Sequence, residues 1–272
     1  MSPEAAIAEL VADRLADRAA GDPPLVLGLC GAQGSGKSTV AARLAQRFER
    51  SAILSLDDLY LSRAERQRLA REVHPLLATR GVPGTHDVAL GTATLAAIAR
   101  GEPARLPRFD KATDDRIPRS RWPCAPEHTA LIVFEGWCVG ACPQAEESLI
   151  APVNGLEAEE DASGTWRRYA NAALATDYPA LFESVDPLAL MIPPDWSTVR
   201  RWRIQQEEAL RNARGGDGPG VMDDVAVERF VGHYERLTRH IWSEMPRRAD
   251  LCLRLTEERE VATTNAPPPS GD

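Results

Sequence analysis

The stretch that most constrains this chain is GAQGSGKS, residues 31–38, which fits the pattern G-x-x-x-x-G-K-[ST] of a phosphate-binding loop. The apolar run at 25–30 before it is typical of a buried strand, and residues 39–48 after it place Val40, Leu44 and Phe48 on one face of a helix. The alternative is a chance match in a chain rich in alanine and glycine. Agreement of strand, loop and helix with the motif favours a true phosphate-binding loop.

The residue types of this loop suit an anion. Glycines let backbone N–H groups converge on one point, and the helix that follows adds partial positive charge at its N-terminus. Lys37 would reach the β- and γ-phosphates of a nucleotide, and the Ser38 hydroxyl would ligate Mg²⁺. The expected nucleotide contacts are Gly31, Ala32, Gln33, Gly34, Ser35, Gly36, Lys37, Ser38 and Thr39.

Composition limits the class of protein. The chain has 272 residues and a formal net charge of −8, so it has no general affinity for nucleic acid. Five scattered cysteines predict free thiols, and we find neither a signal peptide nor an apolar run long enough to cross a membrane. We therefore expect a cytoplasmic protein with no nucleic-acid or membrane partner, whose oligomeric state the sequence does not reveal. Only two lysines accompany thirty arginines, Lys37 and Lys111.

Two predicted strands end in acidic residues. The strand at 51–56 is followed by Asp57 and Asp58, and the strand at 130–134 by Glu135. The carboxyl ends of parallel strands meet at one edge of a sheet, where ligands bind. Asp57 could there accept a proton from an attacking hydroxyl, unless one aspartate merely caps the next helix. Glu135 has the position of a Walker B carboxylate and is expected to hold Mg²⁺.

Three further segments carry candidate ligands. The loop 73–87 contains Arg80 and His86, although it could also be a purely structural turn. The segment 106–116 mixes three cations with three acids in a polar loop, which could equally be solvated. The arginine-rich helix at 196–207 could fold as a lid over the phosphates, or could be a solvated helix with buried tryptophans. A glycine-rich flexible break is expected at 215–220.

Strands alternate with helices along the chain, which predicts an α/β protein with a mostly parallel sheet covered on both faces. Residues 1–261 are expected to form one domain with inserted substrate and lid segments. The last residues, 262–272, are expected to be a disordered tail because of their prolines and small polar residues.

The motifs together resemble a known family. SLDDLYL, VHPLLATRGVPGTHD, LPRFDKATDDR, EGWCVGACPQ and HYERLTR look like the P-loop glycerate kinases of plant, fungal and bacterial type, over residues 24–256. Those enzymes use ATP and Mg²⁺ to phosphorylate D-glycerate at its 3-hydroxyl, and are similar to uridine kinase, phosphoribulokinase and bacterial pantothenate kinase. The resemblance implies a P-loop NTPase-type three-layer fold with a five-stranded sheet of order 2-3-1-4-5.

The resemblance also assigns roles. It implies that Asp57 is the catalytic base, that Lys37 and Arg116 offset charge on the transferring phosphoryl group, and that Arg200 and Arg203 are lid arginines. The sequence departs from the wider group in having Phe109 where tyrosine is usual. The substrate carboxylate needs a cation, for which Arg80, Arg108 and Lys111 are candidates; the expected substrate-binding set is Asp58, Tyr60, Arg80, His86, Arg108 and Lys111.

Two other functions stay open. A kinase of the same fold acting on a nucleoside, a sugar or another small metabolite would share the phosphate-binding residues and differ in the loop 73–87. A nucleotide-binding regulator or ATPase would transfer no phosphate to a metabolite. The presence of Asp57 and of a basic lid argues against the second of these.

Overall fold

The structure, a computed structural model, describes residues 1–19, 21–214 and 224–265. Its α-helices are α1 Pro3–Ala16, α2 Lys37–Arg47, α3 Arg63–Glu72, α4 Val88–Ala99, α5 Gly155–Glu160, α6 Thr165–Thr176, α7 Tyr178–Phe182, α8 Trp196–Arg214 and α9 Asp224–Glu244. Its strands are β1 Leu25–Gly31, β2 Ser51–Ser55, β3 Phe109–Asp110, β4 Asp115–Arg116, β5 Leu131–Gly136, β6 Leu188–Ile192, β7 Leu251–Leu255 and β8 Val261–Asn265. The predicted break at 215–220 and residues 266–272 of the predicted tail lie outside the described residues.

The main sheet has the order β2-β5-β1-β6-β7-β8. Its first five strands are parallel. Counted along the chain, these five follow the order 2-3-1-4-5, so the expected strand order and the mostly parallel sheet are confirmed. The central strand, β1, is the one that leads into the phosphate-binding loop.

Side chains of β1 alternate between two hydrophobic clusters. Leu25, Leu27 and Leu29 pack on one face of the sheet with residues of α1 and α2. Val26 and Cys30 pack on the other face with residues of α4, α6, α7 and α9. Successive side chains of a strand point to opposite faces, so a strand buried along its whole length needs cover on both sides. The sheet is therefore the middle of three layers, as the sequence predicts.

The sheet has six strands rather than the predicted five, because residues 261–265 form β8 antiparallel to β7. The prediction of a disordered tail at 262–272 is therefore wrong for residues 262–265. Val261, Thr263 and Thr264 are β-branched and favour a strand. The prolines that follow them dominate the composition of the tail as a whole, and this concealed the strand signal.

Two local differences matter less for the site. The sequence of residues 166–182 looks helical throughout, but this segment is divided into α6 and α7, because Pro179 has no N–H to continue the hydrogen-bond ladder of α6. The segment predicted as a polar loop, 106–116, contains the antiparallel hairpin β3–β4. Asp114 has a φ of 55° in its turn, a conformation that aspartate adopts more readily than most residues.

The strand register brings the acidic strand ends level with one another. Glu135 of β5 pairs with Ser55 of β2 on one side and with Leu29 of β1 on the other. The phosphate-binding loop follows β1 directly, and Asp57 lies two residues after the end of β2. The loop and both carboxylates therefore lie at the same edge of the sheet.

Candidate active site

The phosphate-binding loop connects β1 to α2, as its motif predicts. Gly34 and Gly36 have φ values of +77° and +86°, which glycine adopts without the steric cost of a side chain. Gly36 is also the N-cap of α2, and it has no side chain to accept hydrogen bonds from the first N–H groups of the helix. The helix N-terminus is therefore free to receive an anion.

Ser38 and Glu135 lie together at the start of α2 and the end of β5. Ser38 Oγ donates to Glu135 Oε1 at 3.1 Å, and Ser55 Oγ donates to the same oxygen at 2.7 Å. Glu135 is 4% exposed. Its Oε2 is buried and has no hydrogen-bond partner among the described residues. A buried carboxylate oxygen without a partner is costly unless a cation or a donor meets it.

This arrangement fits Mg²⁺, which prefers oxygen ligands and usually combines one or two protein groups with phosphates and water. In the described parts of the chain, no group of three His, Cys, Asp or Glu side chains could hold a metal ion by itself. The hydroxyl of Ser38 and the free oxygen of Glu135 are thus suited to a metal ion that is shared with nucleotide phosphates.

Asp57 lies just after β2, in a short helical turn. Its Oδ2 accepts from Lys111 Nζ at 2.6 Å, and its Oδ1 accepts from Tyr60 OH at 2.6 Å. Burial acts to raise the pKa of Asp57, but the charges of Lys111 and Lys37 and the hydrogen bonds from Lys111 and Tyr60 outweigh it and hold the pKa well below the usual range of aspartate. Asp57 is therefore ionised at neutral pH and can accept a proton.

The neighbouring Asp58 fixes the β3–β4 hairpin. It accepts from the backbone N–H of Phe109 at 2.9 Å and from Arg108 Nη1 at 3.2 Å. Burial raises the pKa of Asp58, and the Phe109 N–H and the Arg108 charge offset part of that effect. Neither Asp58 nor Arg108 is among the described residues that line the cavity at Asp57. Their geometry favours positioning of the hairpin over direct contact with a substrate.

Arg116, on the second strand of the hairpin, is similarly engaged. Its Nε donates to the Tyr60 carbonyl at 2.9 Å, and its Nη2 lies 2.8 Å from an Asp87 carboxylate oxygen. In the part of the chain that the structure describes, Arg116 is not on the cavity wall. This position does not favour the predicted catalytic role of Arg116, because its guanidinium is held behind Tyr60 and away from the cavity.

Arg80 is held over the hairpin by Asp114. The two side chains form a short ion pair, and the guanidinium of Arg80 lies 5.7 Å from the ring centroid of Phe109. Asp114 is itself held by Arg66, which is 1% exposed. Arg66 donates to the Asp114 carbonyl at 2.9 Å and pairs with its carboxylate at 2.8 Å. A buried arginine thereby positions the residue that orients Arg80.

His86 is buried rather than exposed to the cavity. It is 4% exposed, its Nδ1 contacts Tyr178 OH, and its ring stacks on Tyr60 with centroids 4.9 Å apart. Burial lowers the pKa of His86 to about 4, so the ring is neutral at physiological pH. The predicted substrate contact of His86 is not favoured by this position, which supports Tyr60 from behind.

The two predicted lid arginines occupy different environments on α8. Arg203 lines the cavity at Asp57, and its guanidinium lies 5.0 Å from the ring centroid of Phe230. Arg200 forms an ion pair with Glu228 and lines a separate cavity beside α9. They are three residues apart on a helix, yet of the two only Arg203 is among the described residues lining the cavity at Asp57.

The cavity itself has a volume of about 160 Å³. Among the described residues, its charged lining consists of one carboxylate, Asp57, and four cations: Lys37, Arg80, Lys111 and Arg203. The phosphate-binding loop contributes Gln33, Gly34 and Ser38, and the remaining wall is formed by Tyr60, Gln206, Phe230 and Tyr234. The cleft is therefore lined by more cations than acids, and three of these cations form ion pairs: Lys111 with Asp57, Arg80 with Asp114 and Arg203 with Glu207.

Known proteins resemble the chain over most of its length. Residues 26–141 match the phosphoribulokinase/uridine kinase family. The chain is 37% identical over 225 residues to the uncharacterized kinase mug58 of Schizosaccharomyces pombe, an alignment that covers 78% of each protein. The chain belongs to the phosphoribulokinase/uridine kinase family. It is therefore a P-loop kinase, and the α/β fold and the resemblance seen in the sequence are both confirmed.

Two relatives within this family of kinases carry a named activity. The chain is 32% identical over 266 residues to the chloroplastic D-glycerate 3-kinase of Arabidopsis thaliana, covering 89% of this chain and 55% of that protein. The solved structure of D-glycerate 3-kinase from Cryptococcus neoformans var. grubii superimposes with a TM-score of 0.78 at 27% identity, covering 97% of this chain and 98% of that one.

Several residues of this kinase site were not found by sequence reasoning. Ser55 carried a weak signal, because it lies two residues before Asp57 at the end of a strand. Arg66 carried none, because it lies on a polar helix whose burial only the tertiary structure reveals. Arg259, which contacts the phosphate-binding loop, lies in a charged turn near the end of the chain.

No helix in the described residues is long and apolar enough to span a membrane.

Proposed function

We propose that this P-loop kinase transfers the γ-phosphoryl group of ATP to the 3-hydroxyl of D-glycerate. The observation that carries the proposal is the cavity at Asp57, where one carboxylate stands among four cations in about 160 Å³. Drug-sized ligands usually occupy pockets of roughly 300–1,000 Å³ with mainly apolar walls. A small, anionic hydroxy acid suits this cleft better than a nucleoside does.

Arg80 is the favoured partner of the substrate carboxylate. It lines the cavity, and its guanidinium can present two parallel N–H groups to a carboxylate. Arg108 is less suited because it is not among the described residues that line this cavity. Lys111 is 59% exposed, so its ammonium can leave Asp57 for an incoming anion at little steric cost.

Asp57 would orient the acceptor hydroxyl and take its proton as the oxygen attacks the γ-phosphorus. The new phosphorus–oxygen bond forms while the bond from the γ-phosphorus to the β,γ-bridging oxygen breaks, and ADP leaves with that electron pair. Lys37 and Arg203 line the same cavity and would offset the charge on the phosphoryl oxygens. Catalysis of this kind relies mainly on positioning and electrostatics.

Ser38 and Glu135 would hold Mg²⁺, which when bound neutralises phosphate charge and orients the phosphates. The support for this is the buried, unpartnered Oε2 of Glu135 among the described residues. We also place the reaction in a reducing compartment such as the cytoplasm, since all five cysteines are free in the structure.

The test is ADP release from ATP with Mg²⁺, measured with D-glycerate, L-glycerate, uridine, pantothenate, ribulose 5-phosphate and no acceptor. The Lys37→Ala variant is the control for a contaminating kinase. We expect strong stimulation by D-glycerate alone, and its loss in the control. Stimulation by a different acceptor would discard glycerate and keep the kinase chemistry. ADP release that ignores every acceptor would favour an ATPase or a regulator.

A further inference from the structure

The turn between β7 and β8 contacts the phosphate-binding loop. Arg259, in this turn, has a φ of 68° and donates from Nε to the carbonyl oxygen of Gly34 at 2.6 Å. The turn is closed by its own backbone, since Thr256 N–H donates to Glu260 O at 2.8 Å and Arg259 N–H donates to Thr256 O at 3.1 Å. Arg259 therefore reaches the loop from a well-anchored position.

The contact fixes one particular peptide unit, the one between Gly34 and Ser35. Its N–H, on Ser35, donates to Ala32 O at 3.2 Å, and its carbonyl oxygen, on Gly34, accepts from Arg259. A peptide unit is planar, so hydrogen bonds at both ends determine its orientation. Because the Gly34 carbonyl points toward Arg259, its partially negative oxygen does not face the phosphate-binding loop, where it would repel phosphate.

Arg259 also contacts helix α8. Its guanidinium lies 4.8 Å from the ring centroid of Trp202, and its Nη2 donates to Gln205 Oε1 at 3.2 Å. Trp202 is 1% exposed and donates from Nε1 to the Glu257 carbonyl at 2.8 Å. A Cβ on Gly34 would lie 2.5 Å from Trp202 Cβ, so the tryptophan fills the space next to the loop. Loop, helix and turn thus meet at Arg259.

We infer that Arg259 is a positioning residue for nucleotide binding: it holds the Gly34–Ser35 peptide in the phosphate-binding orientation and links that peptide to α8. Arg203, which lines the cavity, lies one residue beyond Trp202 on the same helix. Arg259 therefore sets both the position of Arg203 and the shape of the phosphate-binding loop. The inference rests on membership of the kinase family and is independent of the acceptor.

The test compares Arg259→Met and Arg259→Lys with Arg254→Met in the full chain. Arg254 lies on β7, five residues before Arg259, and its side chain is exposed. The readouts are the Kd of ATP·Mg²⁺ by calorimetry and the melting temperature without nucleotide. Because a hydrogen bond from a charged donor is lost, we expect Arg259→Met to raise the Kd about tenfold, with a partial recovery in Arg259→Lys.

Arg254→Met, which also removes one positive charge, is expected to bind ATP·Mg²⁺ as the unmodified chain does. An unchanged Kd in Arg259→Met would overturn the inference, including the case in which only its melting temperature falls, because that would be a purely structural role. Equal weakening in Arg254→Met and Arg259→Met would also overturn it, since the effect would then reflect overall charge. Because calorimetry needs no acceptor, failure of the glycerate proposal would leave these outcomes unchanged.

Discussion

Lys111 Nζ lies 2.6 Å from Asp57 Oδ2, so one of the two lysines of the chain forms an ion pair with the proposed catalytic base. The pair joins the β3–β4 hairpin to the end of β2. It also keeps the pKa of Asp57 below its usual range. The carboxylate is therefore ionised, but it is a weaker base than an ordinary aspartate. The side chain of Lys111 is 59% exposed, so its ammonium can move when an anionic substrate enters.

Lys111→Met is expected to shift the acidic limb of the pH profile to higher pH. Activity requires ionised Asp57 and falls as the pH drops through the Asp57 pKa. The substitution removes a positive charge and a hydrogen bond that lower this pKa, while the burial that raises it remains. The apparent acidic pKa of kcat/KM should rise by about one unit or more. Lys111→Arg keeps the charge, so its acidic limb should lie near that of the unmodified chain. If the acidic limb does not shift in Lys111→Met, Asp57 is not the base whose titration it reports.

Asp57→Asn tests the base directly. The amide keeps the size of the carboxylate but cannot take the proton, so kcat should fall by about 100-fold or more while the Kd of ATP stays nearly constant. Asp58→Asn is the matched control, because Asp58 is the adjacent aspartate and holds the hairpin instead of lining the cavity. A kcat for Asp57→Asn close to that of the unmodified enzyme would contradict the assignment.

Arg80→Met and Arg108→Met separate two candidate ligands of the substrate carboxylate. Arg80 lines the cavity and Arg108 is not among the described residues that do, so the first variant should raise the KM for D-glycerate by about 10–100-fold and the second only slightly. The KM for ATP should change little in either variant. A larger rise of this KM in Arg108→Met than in Arg80→Met would mean that the substrate carboxylate binds at Arg108 instead.

Glu135→Gln tests the metal site. The substitution replaces the buried, unpartnered Oε2 with a neutral group, so the Mg²⁺ concentration at half-maximal activity should rise about tenfold. Ser55→Ala removes only the hydroxyl that holds Oε1 and should have a smaller effect. The measurement is initial rate against free Mg²⁺ at saturating ATP. An unchanged Mg²⁺ dependence in Glu135→Gln would exclude this carboxylate as a ligand.

The parts of the site that the sequence predicts best are those at strand ends. The loop after β1, Asp57 after β2 and Glu135 in β5 each follow or end a buried apolar run, and parallel strands bring such ends to one edge. Local pattern therefore determines their place in the fold. The alternation of strands and helices likewise predicts a mostly parallel sheet with helices on both faces, which the structure has.

The cations were harder to assign because they lie in segments without periodicity. Arg80, Arg108 and Arg116 are similar in sequence terms, and only the hairpin contacts distinguish the one that faces the cavity from the two that hold Asp58 and Tyr60. The burial of Arg66 and His86 is likewise a tertiary effect, since neither residue follows an apolar pattern. Strand β8 is hard to predict because the prolines after it dominate the composition of the segment and outweigh the β-branched residues of the strand.

The four cations of the cavity wall stand in a chain whose net charge is −8. An approaching anion therefore meets fields of opposite sign at different distances: repulsion from the molecule as a whole and attraction within the cleft. At an ionic strength of 0.1 M the Debye length is about 10 Å, so counterions suppress the distant repulsion while the attraction close to the cations persists. As salt is added, the association rate of an anion should first rise and then fall. The rate at which the enzyme meets its substrate therefore depends on the ionic strength of the solution as well as on the enzyme.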